Sequence, residues 1–229
     1  MNSPEFDRHA DSYRRLHAEN IRITGELPDY FARYKARHAS RLAAGRLPVP
    51  RILDFGCGIG NATPFLREYF PDCQITGTDV SPASLAVARE HAGDAARFLV
   101  MTEDVIPVDD GHFGLAFVSC VLHHVPVERH ASMLREIRRV MAAGALLAIY
   151  EHNPWNPLTV RAVKACEFDE NAVLVAAPQM KRAVAAAAFD TPRTRYVVFY
   201  PNVLRFMRWS EPLLGWLPLG AQYCVSAVR

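Results

Sequence analysis

Short apolar runs alternate along the chain with longer stretches of helical spacing. The first run, Ile52-Leu53, enters a loop holding Gly56, Gly58 and Gly60, and a helix-compatible stretch from Ala62 to Phe70 follows. Gln74 to Val80 reads as a second strand. Ser81 and Pro82 supply the cap and first position of a helix running through Arg89. Arg97 to Met101 is a third strand and Leu115 to Cys120 a fourth, whose unbroken apolar character is that of a parallel strand covered on both faces. Glu128 to Ala142 places Met133, Leu134, Ile137, Val140 and Met141 at helical spacing, with Gly144 as its stop. Ala145 to Tyr150 is a fifth strand, residues 158–177 a helix and connecting loop, and Pro178 to Phe189 a helix. Arg195 to Tyr200 and Gln222 to Val228 are strands six and seven. Ahead of all these, Pro28-Asp29 opens a helix that Gly45 closes, and Asp7 to Leu16 reads as a shorter one carrying Tyr13.

The totals narrow the partners more than the fold. A chain of 229 residues, half of them hydrophobic, can bury a sizeable core and is not of disordered composition. A net charge of +2 with no basic block argues against a nucleic-acid surface. The five cysteines are scattered without a C-x-x-C pair, as expected of reduced thiols in a cytoplasmic protein, and no acidic cluster suggests a metal. The first residues lack a charged-then-apolar leader, and no apolar run is long enough to span a bilayer.

Candidate chemistry gathers at the strand ends. Strand, glycine loop and helix together bring backbone N–H groups and a helix N-terminus close to a nucleotide-like ligand. Asp54 sits just before the first glycine, and Asp79 ends the second strand, where a carboxylate can accept both hydroxyls of a ribose. The glycine spacing is Gly-x-Gly-x-Gly, not the Gly-x-Gly-x-x-Gly of dinucleotide binders.

Asp54-Phe55-Gly56-Cys57-Gly58-Ile59-Gly60 and Gly77-Thr78-Asp79-Val80-Ser81 resemble the first two motifs of class I S-adenosylmethionine-dependent methyltransferases of the small-molecule type. The resemblance runs through about residue 152 and, more loosely, to the C-terminus. It implies an α/β three-layer sandwich with a seven-stranded, mostly parallel sheet, the last strand antiparallel, preceded by a helical cap over residues 1–46. The methyltransferase domain would then be 47–229, with 201–220 inserted between the last two strands. It also implies S-adenosylmethionine as cofactor, S-adenosylhomocysteine as product and no metal. Asp54, Gly56, Cys57, Gly58, Gly60, Asn61 and Asp79 would line the cofactor, with Val80 beside its adenine. The family's usual adenine-binding acid is displaced here: Thr102 holds its place and Glu103 follows. Gly114 stands where the family carries a further acid. Phe6-Asp7-Arg8-His9-Ala10-Asp11-Ser12-Tyr13 looks like a lid helix of the family, making Tyr13 a lid contact.

The acceptor side follows from the rule that ligands of such sheets lie beyond the carboxyl ends of the strands. That puts Ser119 next to the methyl donor, with His123 and His124 close by. Adjacent histidines do not share a helical face, so one faces the site as a candidate base while the other packs. Glu151-His152-Asn153-Pro154-Trp155 ends the fifth strand; Glu151 and His152 are alternative bases, and Asn153 and Trp155 are acceptor contacts. Residues 201–220, with Phe206, Trp209 and Trp216, are too long for a turn. A helix packed on its own domain is the plainest reading; a substrate lid, a homodimer contact and a peripheral membrane contact are the others. The expected function is methyl transfer to a small molecule such as a secondary metabolite, a sugar or a lipid-linked precursor. A non-catalytic cofactor-binding scaffold of the same fold is the main rival. A nicotinamide-dependent oxidoreductase is a weaker one, since no Tyr-x-x-x-Lys set is visible. Ser119-Cys120-Val121-Leu122 is not the tetrapeptide that grips a flipped base.

Overall fold

The computed structural model describes residues 25–45, 49–102, 105–166, 169 and 171–229. In chain order these form α1 (Pro28–Ala43), β1 (Arg51–Phe55), α2 (Thr63–Tyr69), β2 (Gln74–Asp79), α3 (Pro82–Ala92), β3 (Arg97–Val100) and β4 (Phe113–Ser119). There follow α4 (His130–Val140), β5 (Met141–His152), α5 (Pro157–Lys164), α6 (Ala177–Ala186), β6 (Asp190–Val197), α7 (Glu211–Leu214) and β7 (Gln222–Val228). One seven-stranded sheet has the order β3-β2-β1-β4-β5-β7-β6. Neighbours from β3 to β5 pair in parallel, and β7 runs antiparallel to both β5 and β6.

The alternation of side chains along each strand feeds two helical layers. Leu53, Ala116, Val118, Leu147 and Ile149 face α4 and α6 through Met133, Leu134, Ile137, Met180 and Val184. Ile52, Leu115, Phe117, Leu146 and Ala148 face the opposite layer, where α1 and α2 contribute Ala36, Ala39, Phe65 and Leu66. Covering a sheet on both faces is what its unbroken apolar strands require, and each fully buried Leu or Ile adds about 1.5–3 kcal/mol. Local signals set the helix starts. Ser81 Oγ accepts from Ser84 N at 3.0 Å ahead of Pro82, and Asn156 Oδ1 accepts from Leu158 N and Thr159 N ahead of Pro157.

Four expectations shift. The helix expected to reach Ala142 stops at Val140, because Met141 already pairs with Phe113 as the start of β5. Gly144 is not a helix stop but takes φ +77° where β5 bulges between Met141 and Leu146. Strand six ends at Val197: Val198 has φ +61°, and the N–H groups of Phe199 and Tyr200 turn to Glu211 Oε1 instead of a ladder. Residues 201–220 hold a 3-10 stretch, Asn202–Ser210, and the single turn of α7, not one packed helix. Gly215 O accepts from Tyr196 N of β6 and Glu211 holds the residues just past that strand, while Phe206 and Trp209 stand 71% and 77% exposed. No helix among the described residues is long and apolar enough to cross a membrane. The expected helix 7–16, with Tyr13, and Glu103 lie outside the described residues.

Candidate active site

The strand order reverses between β1 and β4, and that opens a crevice beyond their carboxyl ends. On its β1 side the glycine loop folds back on the sheet. Gly56 N and Cys57 N both donate to Thr78 O, at 2.8 and 3.0 Å, and Gly58 N donates to Asp79 Oδ2 at 2.8 Å. The N–H groups of Gly56, Cys57 and Gly58 are therefore bonded within the protein. What the loop offers is close approach. Gly58 has φ +52°, and a Cβ there would meet no atom of the described residues within 4 Å. Gly56 is different: at φ +65° its Cβ would sit 2.6 Å from Val121 Cγ2, so this glycine lets the fourth-strand loop lie against the first.

Asp79 is held by two backbone donors, Gly58 N on Oδ2 and Ser81 N on Oδ1 at 2.9 Å, which fix its carboxylate at the tip of β2. Asp54 is 2% exposed, and its Oδ2 has no hydrogen-bond partner among the described residues. Burial, and the nearby Asp79 charge, push its carboxyl up to about 7 against the pull of Lys35. Val80 belongs to the core beside the loop. Thr102 closes a local turn: its Oγ1 accepts from Val105 N at 3.0 Å, and its N–H donates to Val105 O at 3.2 Å.

Lys35 was not legible in the sequence as a site residue. It comes from α1, is 5% exposed, and donates to Ser119 Oγ at 2.9 Å and to Cys120 Sγ at 3.1 Å. The one available signal was its position on the small-residue face of α1, among Ala32, Ala36 and Ala39. Cys120 takes φ +57°, a strained conformation for a side chain of this kind, and its N–H donates to Tyr150 O. Burial would push the Cys120 thiol up, but Lys35 and His152 bring it down to about 6.

The β4–β5 ends carry a connected acid–imidazole cluster. Glu151 is 2% exposed; its Oε1 accepts from Val121 N and Leu122 N at 3.0 and 2.7 Å, and its Oε2 lies 2.6 Å from His123 Nδ1. His123 Nε2 and His124 Nε2 each lie 3.4 Å from the same oxygen of Asp169, Oδ1. Burial alone would strip His123 of its proton, yet Glu151 and Asp169 hold it protonated well above the usual imidazole range. Burial and the His123 charge push His124 down to about 3. The His152 ring centroid is 5.2 Å from that of His123.

The expected residues at the ends of β4 and β5 are engaged within the protein to different degrees. Both oxygens of Glu151 and both ring nitrogens of His123 are engaged by protein partners, which leaves neither facing an acceptor freely. Asn153 is fully buried and holds the chain instead of lining a pocket: its Nδ2 donates to Pro218 O and Gly220 O, and its Oδ1 accepts from Trp155 N. Trp155 lies half exposed against Tyr196 of β6. Asp169, in the loop beyond α5, was missed because nothing local distinguishes it.

Comparison with known proteins then decides the family question. Residues 52–144 match the model of a methyltransferase domain. Over those residues the chain carries a methyltransferase domain. Trans-aconitate 2-methyltransferase of Variovorax paradoxus is 35% identical over 128 residues, which is 53% of this chain and 48% of that one. Malonyl-[acyl-carrier protein] O-methyltransferase of Legionella pneumophila is 31% identical over 147 residues, 63% of this chain and 47% of that one. The chain thus spans about half the length of these curated relatives. A SAM-dependent methyltransferase from Thermotoga maritima shares the fold over 100% of both chains, with a TM-score of 0.70 and 18% identity. The matched domain contains the glycine loop, Asp79 and the two histidines; Lys35, Glu151 and Asp169 lie outside it.

Proposed function

We propose that the protein binds S-adenosylmethionine along the glycine loop and transfers its methyl group to an oxygen of a small carboxylic acid. The observation that carries the cofactor half is the pair of opposite, buried charges at the mouth of the loop. S-adenosylmethionine ends in an ammonium and a carboxylate. Asp54, with an orphaned buried oxygen, suits the ammonium; Lys35, from the other side, suits the carboxylate. Asp79 suits the ribose hydroxyls, and Gly58 leaves room for the ligand to touch the backbone.

When bound, this cofactor supplies the methyl group as an electrophilic sulfonium carbon. The protein's share is to align donor and acceptor and keep water out. An acceptor that must lose a proton needs a base with a pKa near the working pH. His124, at about 3, is too weak a base for that task, and Glu151 and His123 are already committed. His152, which packs against His123 in the same cluster, is the one remaining candidate. An acceptor that arrives ionised needs no base, which favours a carboxylate. The names of two relatives, for trans-aconitate and malonyl carrier protein, also denote carboxylic acids.

The test is calorimetric titration with S-adenosylmethionine, S-adenosylhomocysteine and NAD, followed by methyl transfer from labelled cofactor to a panel of di- and tricarboxylic acids. Base-labile methyl esters are the expected product. Tight cofactor binding with no ester from any acid would overturn the acceptor assignment, and binding of NAD alone would overturn the cofactor.

A further inference from the structure

We propose that His123, His152 and Asp169 form a binding site for one divalent transition-metal ion, placed to take an anionic oxygen ligand. The three side chains converge from the turn after β4, the end of β5 and the loop after α5. Each offers one ligand atom, and these atoms all lie within 4.8 Å of one another. Tetrahedral zinc with bonds of about 2.0–2.1 Å needs ligand atoms roughly 3.3 Å apart. His123 Nε2 and Asp169 Oδ1 already stand at 3.4 Å. His152 and Asp169 are partly exposed, so their side chains can close the remaining distance.

The surroundings are those of a metal-binding imidazole. Glu151 is immobilised by the N–H groups of Val121 and Leu122, and it accepts from His123 Nδ1 at 2.6 Å. A carboxylate on one ring nitrogen fixes the tautomer that presents the other to a metal. The ion would replace the proton that His123 shares with Asp169. Two imidazoles and one carboxylate make a borderline donor set, which selects zinc, manganese, iron or cobalt over magnesium or calcium. Three protein ligands leave at least one position open. Placed at the β4–β5 ends, that position would face the acceptor, and this last step rests on the function proposed above. His124 Nε2, 3.4 Å from the same Asp169 oxygen, stands at the rim of the site.

The experiment loads chelator-treated full-length protein with Zn2+ and, separately, Co2+. Uptake is read by calorimetry and elemental analysis, and ligation by the visible absorption of cobalt. One equivalent is expected, with a Kd below about 10 µM. His152→Ala and Asp169→Asn should each abolish uptake, while S-adenosylhomocysteine binding persists. Glu151→Gln is the sharper variant. Its amide oxygen would keep the two backbone N–H groups, and its NH2 would face His123 Nδ1. That forces the proton onto Nε2 and weakens metal binding about 10–100-fold, although the network remains hydrogen-bonded. If the protein takes up no metal but binds S-adenosylhomocysteine, the cluster is an ion-pair network and the metal proposal falls alone. If it binds neither, the cofactor assignment falls with it. Equal metal binding by wild type and Asp169→Asn would also overturn the site.

Discussion

Lys35 Nζ stands 2.9 Å from Ser119 Oγ across a sequence separation of 84 residues, so α1 places a buried cation at the carboxyl end of β4. A buried ammonium without a carboxylate in contact is costly unless something offsets it. Among the described residues a hydroxyl and a thiol partner it, and Asp54 acts from a distance. The carboxylate of the cofactor would complete its coordination. Lys35→Met should therefore weaken S-adenosylhomocysteine binding about 10–100-fold, the worth of a charge-assisted hydrogen bond. Binding of 5′-methylthioadenosine, which lacks the amino-acid end, should stay within about twofold. Equal losses for both ligands, measured by calorimetry, would mean that Lys35 holds the fold of the site and not the carboxylate.

Asp54 links ligand binding to protons. Its carboxyl is raised to about 7 from 3.8, chiefly by burial. For an acid shifted upwards, the folded state prefers the protonated form. The penalty for ionising it grows as pH rises from 3.8 and is complete above about 7. An ammonium placed beside it reverses the shift. Binding of S-adenosylhomocysteine near pH 6 should therefore release a proton, seen as a binding heat that changes with the ionisation enthalpy of the buffer. Asp54→Asn should stabilise the ligand-free protein at pH 8 by about 1–3 kcal/mol, do little at pH 4, and weaken ligand binding at both. A loss of stability at pH 8 would show that the carboxylate serves the fold.

These two residues mark how far the sequence could be read. Asp54, Asp79 and the glycines lie within one strand–loop–helix–strand unit, so local spacing reveals their juxtaposition. The strands were legible for the same reason, since burial on both faces writes unbroken apolar runs. Lys35 and Asp169 reach the site only through tertiary packing, and no periodicity encodes that. Asn153 misled because polarity at a strand end reads alike whether the side chain lines a pocket or ties down a neighbouring loop; its bonds to Pro218 and Gly220 depend on where residues 215–221 return. The β5 bulge was hidden in the same way, since Gly144 after a helical run looks like a stop until its partner strand is known.

Glu151 and His123 form the buried ion pair on which the loop after β4 rests. Removing one member of such a pair costs about 3–5 kcal/mol. The pH dependence follows from the two shifts. His123 is raised, so its contribution is complete below 6.5 and is lost as pH rises towards its folded value. Burial would raise Glu151, but the His123 charge, the hydrogen bonds from His123 and Leu122 N, and His152 together depress it, so its contribution is complete above 4.5 and is lost as pH falls. In chelator-treated, metal-free protein the destabilisation caused by Glu151→Ala should therefore be largest between pH 4.5 and 6.5 and shrink by pH 9, measured by urea unfolding. A pH-independent loss would assign the effect to the abandoned Val121 and Leu122 N–H groups alone.

Cys120 offers a direct report on the charge arrangement of the site. Reaction with an alkylating agent needs thiolate, and the five cysteines differ in how readily they form it. Burial and neighbouring carboxylates push the Cys57 thiol well up, and burial raises Cys224 to about 12. Cys120 goes the other way, to about 6, because Lys35 and His152 outweigh its burial. Iodoacetamide at pH 7.5 should thus label Cys120 first, as mapped by peptide mass. Lys35→Met should slow that labelling, since the cation that stabilises the thiolate is gone while the thiol stays in place. S-adenosylhomocysteine should protect Cys120 in wild type by covering the crevice beside Ser119. Labelling of Cys57 ahead of Cys120, or a rate unchanged in Lys35→Met, would show that the ammonium does not sit against this thiol in solution. The role of Lys35 in cofactor binding would then lose its geometric basis.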